Sequence, residues 1–150
     1  MKVSVRTAGA ADIPEMCSLL SELFSIEADF SPDRGKQERG LALLLNEAAG
    51  SSTVLVAEHG NRIIGMCSVQ ILISTAEGGP VGFIEDLVVK KDHRGMGTGT
   101  RLLSEITAWC LTRNIPRIQL LRDIDNSGAR RFYLSAGWAD TKLVCMRKLL

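Results

Sequence analysis

Apolar and polar positions follow two different periods along this chain, and the switches between them mark its elements. "KVSVRTA" (2–8) alternates residue by residue, the period of a strand. From 10 to 30 the period changes. Met16, Leu19, Leu20, Leu23 and Phe24 recur at helical spacing and predict an amphipathic helix, with Asp12 as N-cap. Pro14 sits near the first turn, where its missing N–H costs little. "SPDRGKQERGLALLLNEAAG" (31–50) predicts a second, more broken helix ending near Gly50. "TVLVAEHGNRIIGMCSVQILIST" (53–75) predicts two strands joined at Gly60-Asn61, a hairpin signal. "AEGGP" is a turn and "VGFIEDLVV" (81–89) a strand. "GTGTRLLSEITAWCLTRN" (97–114) predicts a helix with Leu102, Leu103, Ile106, Trp109 and Cys110 on its apolar side. "RIQLLRD" (117–123) reads as a strand, and "NSGARRFYLSAG" (126–137) as a short helix ended by Gly137. "WADTKLVCMRKLL" (138–150) reads as one long strand or two short ones.

That order predicts an α/β (α+β) fold, a central mixed sheet flanked by helices. The unit from 81 to 122 forms a parallel, right-handed crossover. The 150 residues, without repeats, low-complexity segments or a linker, predict one domain, 1–150, large enough for a sizeable core. Composition adds little: 45% apolar and 23% charged residues are ordinary for a globular chain. A net charge of +1 gives no global field for nucleic acid or membrane. No apolar run is long enough to span a bilayer, and the N-terminal stretch lacks a signal-peptide core. Cys17, Cys67, Cys110 and Cys145 lie scattered in apolar surroundings and read as small buried hydrophobes in a reducing cytoplasm. With no CxxC pair and only His59 and His93, no metal site is expected. Trp109 and Trp138 read as core packing.

One stretch breaks the economy of the rest. In "KKDHRGMGTGTRLL" three glycines, Gly95, Gly97 and Gly99, stand where a helix begins, although a glycine inside a helix costs about 1 kcal/mol relative to alanine. In a strand-to-helix turn they permit positive φ and close approach of another group to the backbone. A helix N-terminus offers unpaired N–H groups and a partial positive charge, and Arg94 adds a guanidinium. Together these suit a phosphate or pyrophosphate. The spacing is neither a P-loop nor a dinucleotide fingerprint.

The spacing Arg94-x-x-Gly97-x-Gly99 resembles the acyl-CoA loop of the GNAT N-acetyltransferase superfamily, R/Q-x-x-G-x-G/A after the fourth strand. "FIEDLVV" precedes it as that strand does. "RDIDNSGARRFYLSAGW" follows with Asn126, Tyr133 and Gly137-Trp138 matching the family's second motif. The resemblance covers nearly the whole chain, with the specific motifs between roughly 81 and 138. "GFIEDLVVKKDHRGMGTG" is also similar to polyamine acetyltransferases, which carry a similar Glu-Asp pair. The resemblance implies the GNAT fold, with a mostly antiparallel sheet, and an acetyl-CoA-dependent N-acetyltransferase acting on a primary amine by direct attack on the thioester. It implies cofactor contacts from Arg94, Gly95, Gly97, Thr98, Gly99, Thr100 and Asn126, and from the backbone of Leu87, Val88 and Val89. Asn126 is equally a good helix N-cap.

Such a reaction sets chemical demands. A lysine-like amine, of pKa about 10.4, must lose a proton before it attacks, and the departing thiolate must gain one. By resemblance Tyr133, the sole tyrosine, supplies that proton. Glu85 is the candidate base, through water, or else a strand carboxylate paired with an arginine; Asp86 is the second choice. On a regular strand Glu85 shares a face with Phe83 and Leu87, and a bulge, which the family has here, shifts that parity. His93 is expected at the cleft rim. The acids Glu22, Glu27, Asp29, Asp33 and Glu38 lie on segments that wall the acceptor cleft in the family. They suit a cationic acceptor, such as a polyamine, an aminoglycoside or a lysine side chain, or simply form a solvated face. A homodimer is expected by resemblance. The competing class is a non-catalytic acyl-CoA sensor or partner-binding domain on the same fold.

Overall fold

The computed structural model describes residues 2–27, 29–47 and 50–150. Gly60 and Asn61 both adopt left-handed backbone, at φ 56° and 61°, as a two-residue turn between right-twisting strands requires. They join β2 (Ser52–His59) to β3 (Arg62–Ser74). β1 (Ser4–Thr7) pairs antiparallel with β2, and β3 with β4 (Gly79–Val89). After α3 (Thr98–Leu111) the chain returns as β5 (Ile118–Leu120), parallel to β4. The sheet order is β1-β2-β3-β4-β5, mixed and mostly antiparallel. Before the sheet's main hairpin come α1 (Ile13–Ile26) and α2 (Arg34–Leu45). The last helix is α4 (Ser127–Ser135).

Side chains of opposite parity serve the two faces of the sheet. Val54, Val56, Met66 and Val88 pack into one cluster with Met16, Cys17, Leu19 and Leu20 of α1 and Leu41 of α2. The other face meets α3, whose Leu102, Leu103, Ile106 and Cys110 are buried. Gly65 lies on that face, and a β-carbon there would sit 3.1 Å from the Val88 carbonyl oxygen and 3.2 Å from Leu102 Cδ1. Only glycine leaves room for α3 at this point.

Several boundaries differ from the expected ones. A 3₁₀ turn, Ala10–Asp12, precedes α1. Asp12 does not cap that helix: its carboxylate accepts from Arg6 at 2.7 and 2.9 Å and from the Gly9 N–H at 2.7 Å. The charge-assisted pair outcompetes the cap. The α2 helix does start on a capping aspartate, Asp33, which accepts the Lys36 N–H at 3.0 Å.

The chain divides into two compact units, one ending at Leu120 and the other Leu121–Leu150. The second holds α4 but none of the expected C-terminal strand. Residues 138–150 have no regular structure, and Leu143, Val144 and Met146 are 82–92% exposed. Apolar sequence makes a strand only where another strand supplies ladder bonds, and none pairs with this one among the described residues. Cys145 is accordingly exposed, whereas Cys17, Cys67 and Cys110 are buried free thiols. Trp109 and Trp138 are half-buried rather than core residues, and the Arg113 guanidinium covers the Trp109 ring at 3.9 Å.

Candidate active site

The β3–β4 register breaks once. Ser68 pairs with Asp86 and Val69 with Ile84, so Glu85 is the extra residue of a bulge in β4. Its consequence is the parity shift that a bulge imposes. Glu85 is exposed, Asp86 falls on the face of Val88 toward α1, and Leu87 turns to the α3 side. The two adjacent carboxyls therefore occupy very different environments.

Asp86 is buried, 8% exposed. Ser68 Oγ donates to Asp86 Oδ2 at 2.9 Å and accepts the Asp86 N–H at 3.2 Å. Burial raises the carboxyl to about 6; the negative charges of Glu85 and Glu27 push the same way, and the Ser68 hydrogen bond opposes them. Cys67, next to Ser68, is also raised, first by burial and then by the Asp86 charge. Ser68 had no signal in the sequence: it is one polar residue in an apolar strand, and only the register shows what it faces.

The pairing of β4 with β5 covers only Gly82–Ile84 and stops at the residue before the bulge. From Glu85 to Val89 that edge of β4 has no strand partner among the described residues. The backbone of Leu87, Val88 and Val89 lies on this stretch, bonded on its other side to β3. An unpaired strand edge presents N–H and C=O groups to any extended chain of amides.

The free edge runs into the glycine loop. Arg94 Nε donates to the Val89 carbonyl at 2.9 Å, and its Nη2 lies 4.0 Å from Glu22 Oε2. Glu22 also accepts the Lys91 N–H at 3.3 Å, so α1 helps hold this loop. Gly95 and Gly97 have φ of 74° and 79°, and a β-carbon on either would meet nothing within 4 Å. Gly97 is the N-cap of α3 and has no side chain to cap it. Thr98, Gly99 and Thr100 thus begin the helix with N–H groups that have no intrahelical acceptor, and the first such bond is Arg101 N–H to Gly97 O at 3.0 Å. Thr98 is 3% exposed and its Oγ1 has no hydrogen-bond partner. Left-handed glycines facing open space, a helix start without a cap, an orphaned hydroxyl and a free guanidinium edge fit an anionic group. His93 stands beside this loop, half-buried, with its ring 5.9 Å from that of His59.

In the second unit Asn126 caps α4, its Oδ1 accepting the Ala129 N–H at 3.0 Å. The Tyr133 ring packs against Phe132 and Trp138, at centroid distances of 5.1 and 5.5 Å. The Trp138 N–H donates to the Tyr133 carbonyl at 3.0 Å. Arg130 and Arg122 both hold Asp140, at 2.7 and 3.1 Å, and keep its carboxyl below the usual range.

The model of the Acetyltransferase (GNAT) family matches residues 14–138. The chain belongs to the GNAT acetyltransferase family. Among curated relatives, an uncharacterised N-acetyltransferase of Methanocaldococcus jannaschii is 36% identical over 90 residues, 59% of this chain and 54% of that one. The chain thus spans about half the length of the curated relative it matches. Solved structures share the GNAT fold. An aminoglycoside acetyltransferase from a soil metagenomic sample, in complex with sisomicin, is 21% identical over 99% of this chain and 96% of that one, with a TM-score of 0.79. Glucosamine-6-phosphate N-acetyltransferase from Arabidopsis thaliana is 20% identical over 99% of each chain, with a TM-score of 0.78.

Proposed function

We propose that this GNAT protein is an acetyl-CoA-dependent N-acetyltransferase whose acceptor is a primary amine on a small molecule or peptide. The observation that carries the reading is the continuity of the free β4 edge, Glu85–Val89, with the cradle from Arg94 to Thr100. A chain of amides followed by a pyrophosphate matches that sequence of surfaces. Leu87, Val88 and Val89 would hold the amide arm through their backbone. Arg94 and the N–H groups of Gly95, Gly97, Thr98, Gly99 and Thr100 would hold the phosphates. Acetyl-CoA, when bound, supplies an acyl group activated as a thioester.

The chain's own residues then have three tasks. A backbone N–H on the β4 edge donates to the thioester oxygen, where negative charge develops. The Glu85–Asp86 pair at the bulge takes up the acceptor's proton. Tyr133 returns a proton to the sulfur, and Asn126 touches the cofactor arm while capping α4. Glu85, Asp86 and Glu27 make the vicinity of the bulge negative, which favours a cationic acceptor. The reading takes residues 1–150 as one catalytic domain, cytoplasmic and homodimeric. Support comes from the three buried free thiols and from the exposed Leu143, Val144 and Met146, apolar side chains of the kind an interface covers.

The test is thiol release from acetyl-CoA with spermidine, sisomicin, glucosamine 6-phosphate and a lysine-containing peptide. Turnover with at least one, lost in Tyr133→Phe, is the expected result. Tight acetyl-CoA binding with no turnover across a broad amine panel would make the protein a sensor instead.

A further inference from the structure

Two carboxyls stand side by side on β4, and the bulge gives them different work. Glu85 is exposed to solvent. Asp86 lies under the surface on the α1 side of the sheet, with one oxygen, Oδ2, fixed by Ser68. Its other oxygen, Oδ1, accepts no hydrogen bond from the described residues. The Ser68 hydroxyl is committed twice, as donor to Oδ2 and as acceptor of the Asp86 N–H. It therefore locks the side chain to its own backbone and leaves the second oxygen without a hydrogen-bond donor among the described residues.

We infer that Asp86 is the proton acceptor for the amine, with Ser68 as the residue that positions its carboxylate. This deepens the amine acetyltransferase reading and rests on it. The step is balanced within the acceptor and the chain. The ammonium nitrogen gives one proton to Asp86 Oδ1, which becomes a neutral carboxyl, and the nitrogen keeps its lone pair for attack. Glu85, exposed at the mouth, passes that proton on to solvent through water.

Burial suits Asp86 to the task. A base works best when its pKa lies near the working pH, and Asp86 is raised to about 6 by burial and by Glu85 and Glu27. The groups that face it are Glu85 of its own strand, Ser68 of β3 with the Cys67 thiol beside it, and Glu27 beyond α1. The two carboxylates among them, Glu85 and Glu27, favour a cationic group such as a protonated amine.

The experiment joins kinetics to a readout that needs no cofactor. The kcat/KM for acetyl transfer to spermidine or sisomicin is followed against pH in the wild type, Asp86→Asn, Ser68→Ala and Glu85→Gln. The Asp86 carboxyl is titrated by carbon-13 NMR in the free protein. The wild type should lose kcat/KM below about pH 6, in step with the NMR midpoint. Asp86→Asn, nearly isosteric, should lose at least about 100-fold while still binding CoA. Ser68→Ala, which removes the donor to the carboxylate, should raise both the NMR midpoint and the acidic limb by about one pH unit. Glu85→Gln should lower the rate without raising that limb. A wild type active on these amines with Asp86→Asn within threefold of it would overturn the assignment alone. So would an acidic limb that stays put in Ser68→Ala while the NMR midpoint moves. A wild type that binds acetyl-CoA but acetylates no amine would overturn the transferase reading, and this assignment with it.

Discussion

Arg94 closes on the strand it follows: its Nε donates to the Val89 carbonyl at 2.9 Å, the last residue of β4. The bond turns one edge of the guanidinium inward and leaves the two Nη groups for an anion. Only Glu22, at 4.0 Å, competes for them among the described acids. A lysine reproduces the charge and not the fork. Arg94→Ala should weaken CoA binding about 10- to 100-fold, the worth of charge-assisted hydrogen bonds. Arg94→Lys should recover only a small part of that. Calorimetric titration with CoA at two salt concentrations measures both. Equal affinity in Arg94→Ala would remove this residue from the cradle.

A bulky residue at Gly97 would obstruct the cradle, and the φ of 79° adds a cost in stability, because a residue with a β-carbon in the left-handed region costs about 1–2 kcal/mol. Gly97→Ala should lower Tm by several degrees and also weaken CoA binding. Gly97→Asn, better tolerated in this region, should recover most of the Tm but not the affinity. Thermal scans with and without CoA separate the two effects. Recovery of both by asparagine would leave Gly97 a turn residue and nothing more.

The reach of the sequence follows the range of the interactions. Elements defined by local period and local turns were legible: the Gly60-Asn61 hairpin, the apolar faces of α1 and α3, the Asn126 cap. The glycine loop was legible because its spacing is itself local. What failed depended on distant partners. Asp12 has the identity of a cap, yet Arg6 and the Gly9 N–H claim its carboxylate. The 138–150 segment has the composition of a strand and no ladder partner. At the bulge the adjacent Glu85 and Asp86 were visible, but which one is buried depends on a one-residue shift against Ser68 on another strand.

Asn126 carries two roles that substitutions can part. Its Oδ1 holds the Ala129 N–H at 3.0 Å, a cap worth about 1 kcal/mol. Asn126→Ala should therefore lower stability by about that amount, read by urea denaturation. Asn126→Asp and Asn126→Ser keep a capping oxygen and should stay within about 0.5 kcal/mol of the parent. If the amide also touches the cofactor arm, all three should raise the KM for acetyl-CoA. A raised KM in the alanine variant alone would assign the effect to the cap.

Folding moves the Asp86 carboxyl from its ordinary value near 3.8 up to about 6. Between those values the folded chain keeps a proton that the unfolded chain has released, so stability falls as pH rises through that window. Two pKa units correspond to about 3 kcal/mol, lost between about pH 4 and pH 7. Asp12 acts in the opposite sense. Its hydrogen bonds with Arg6 hold its carboxyl below the usual range, so its contribution is present above the ordinary carboxylate pKa and disappears as pH falls further. Urea denaturation should thus find the wild type more stable near pH 5 than near pH 7, with a decline below about pH 4. Asp86→Asn has no charge to bury. It should be more stable than the wild type at pH 7, by up to about 3 kcal/mol, and nearly flat from pH 7 to pH 5. Parallel curves for the two proteins over that range would show that Asp86 ionises in the folded chain as freely as in the unfolded one.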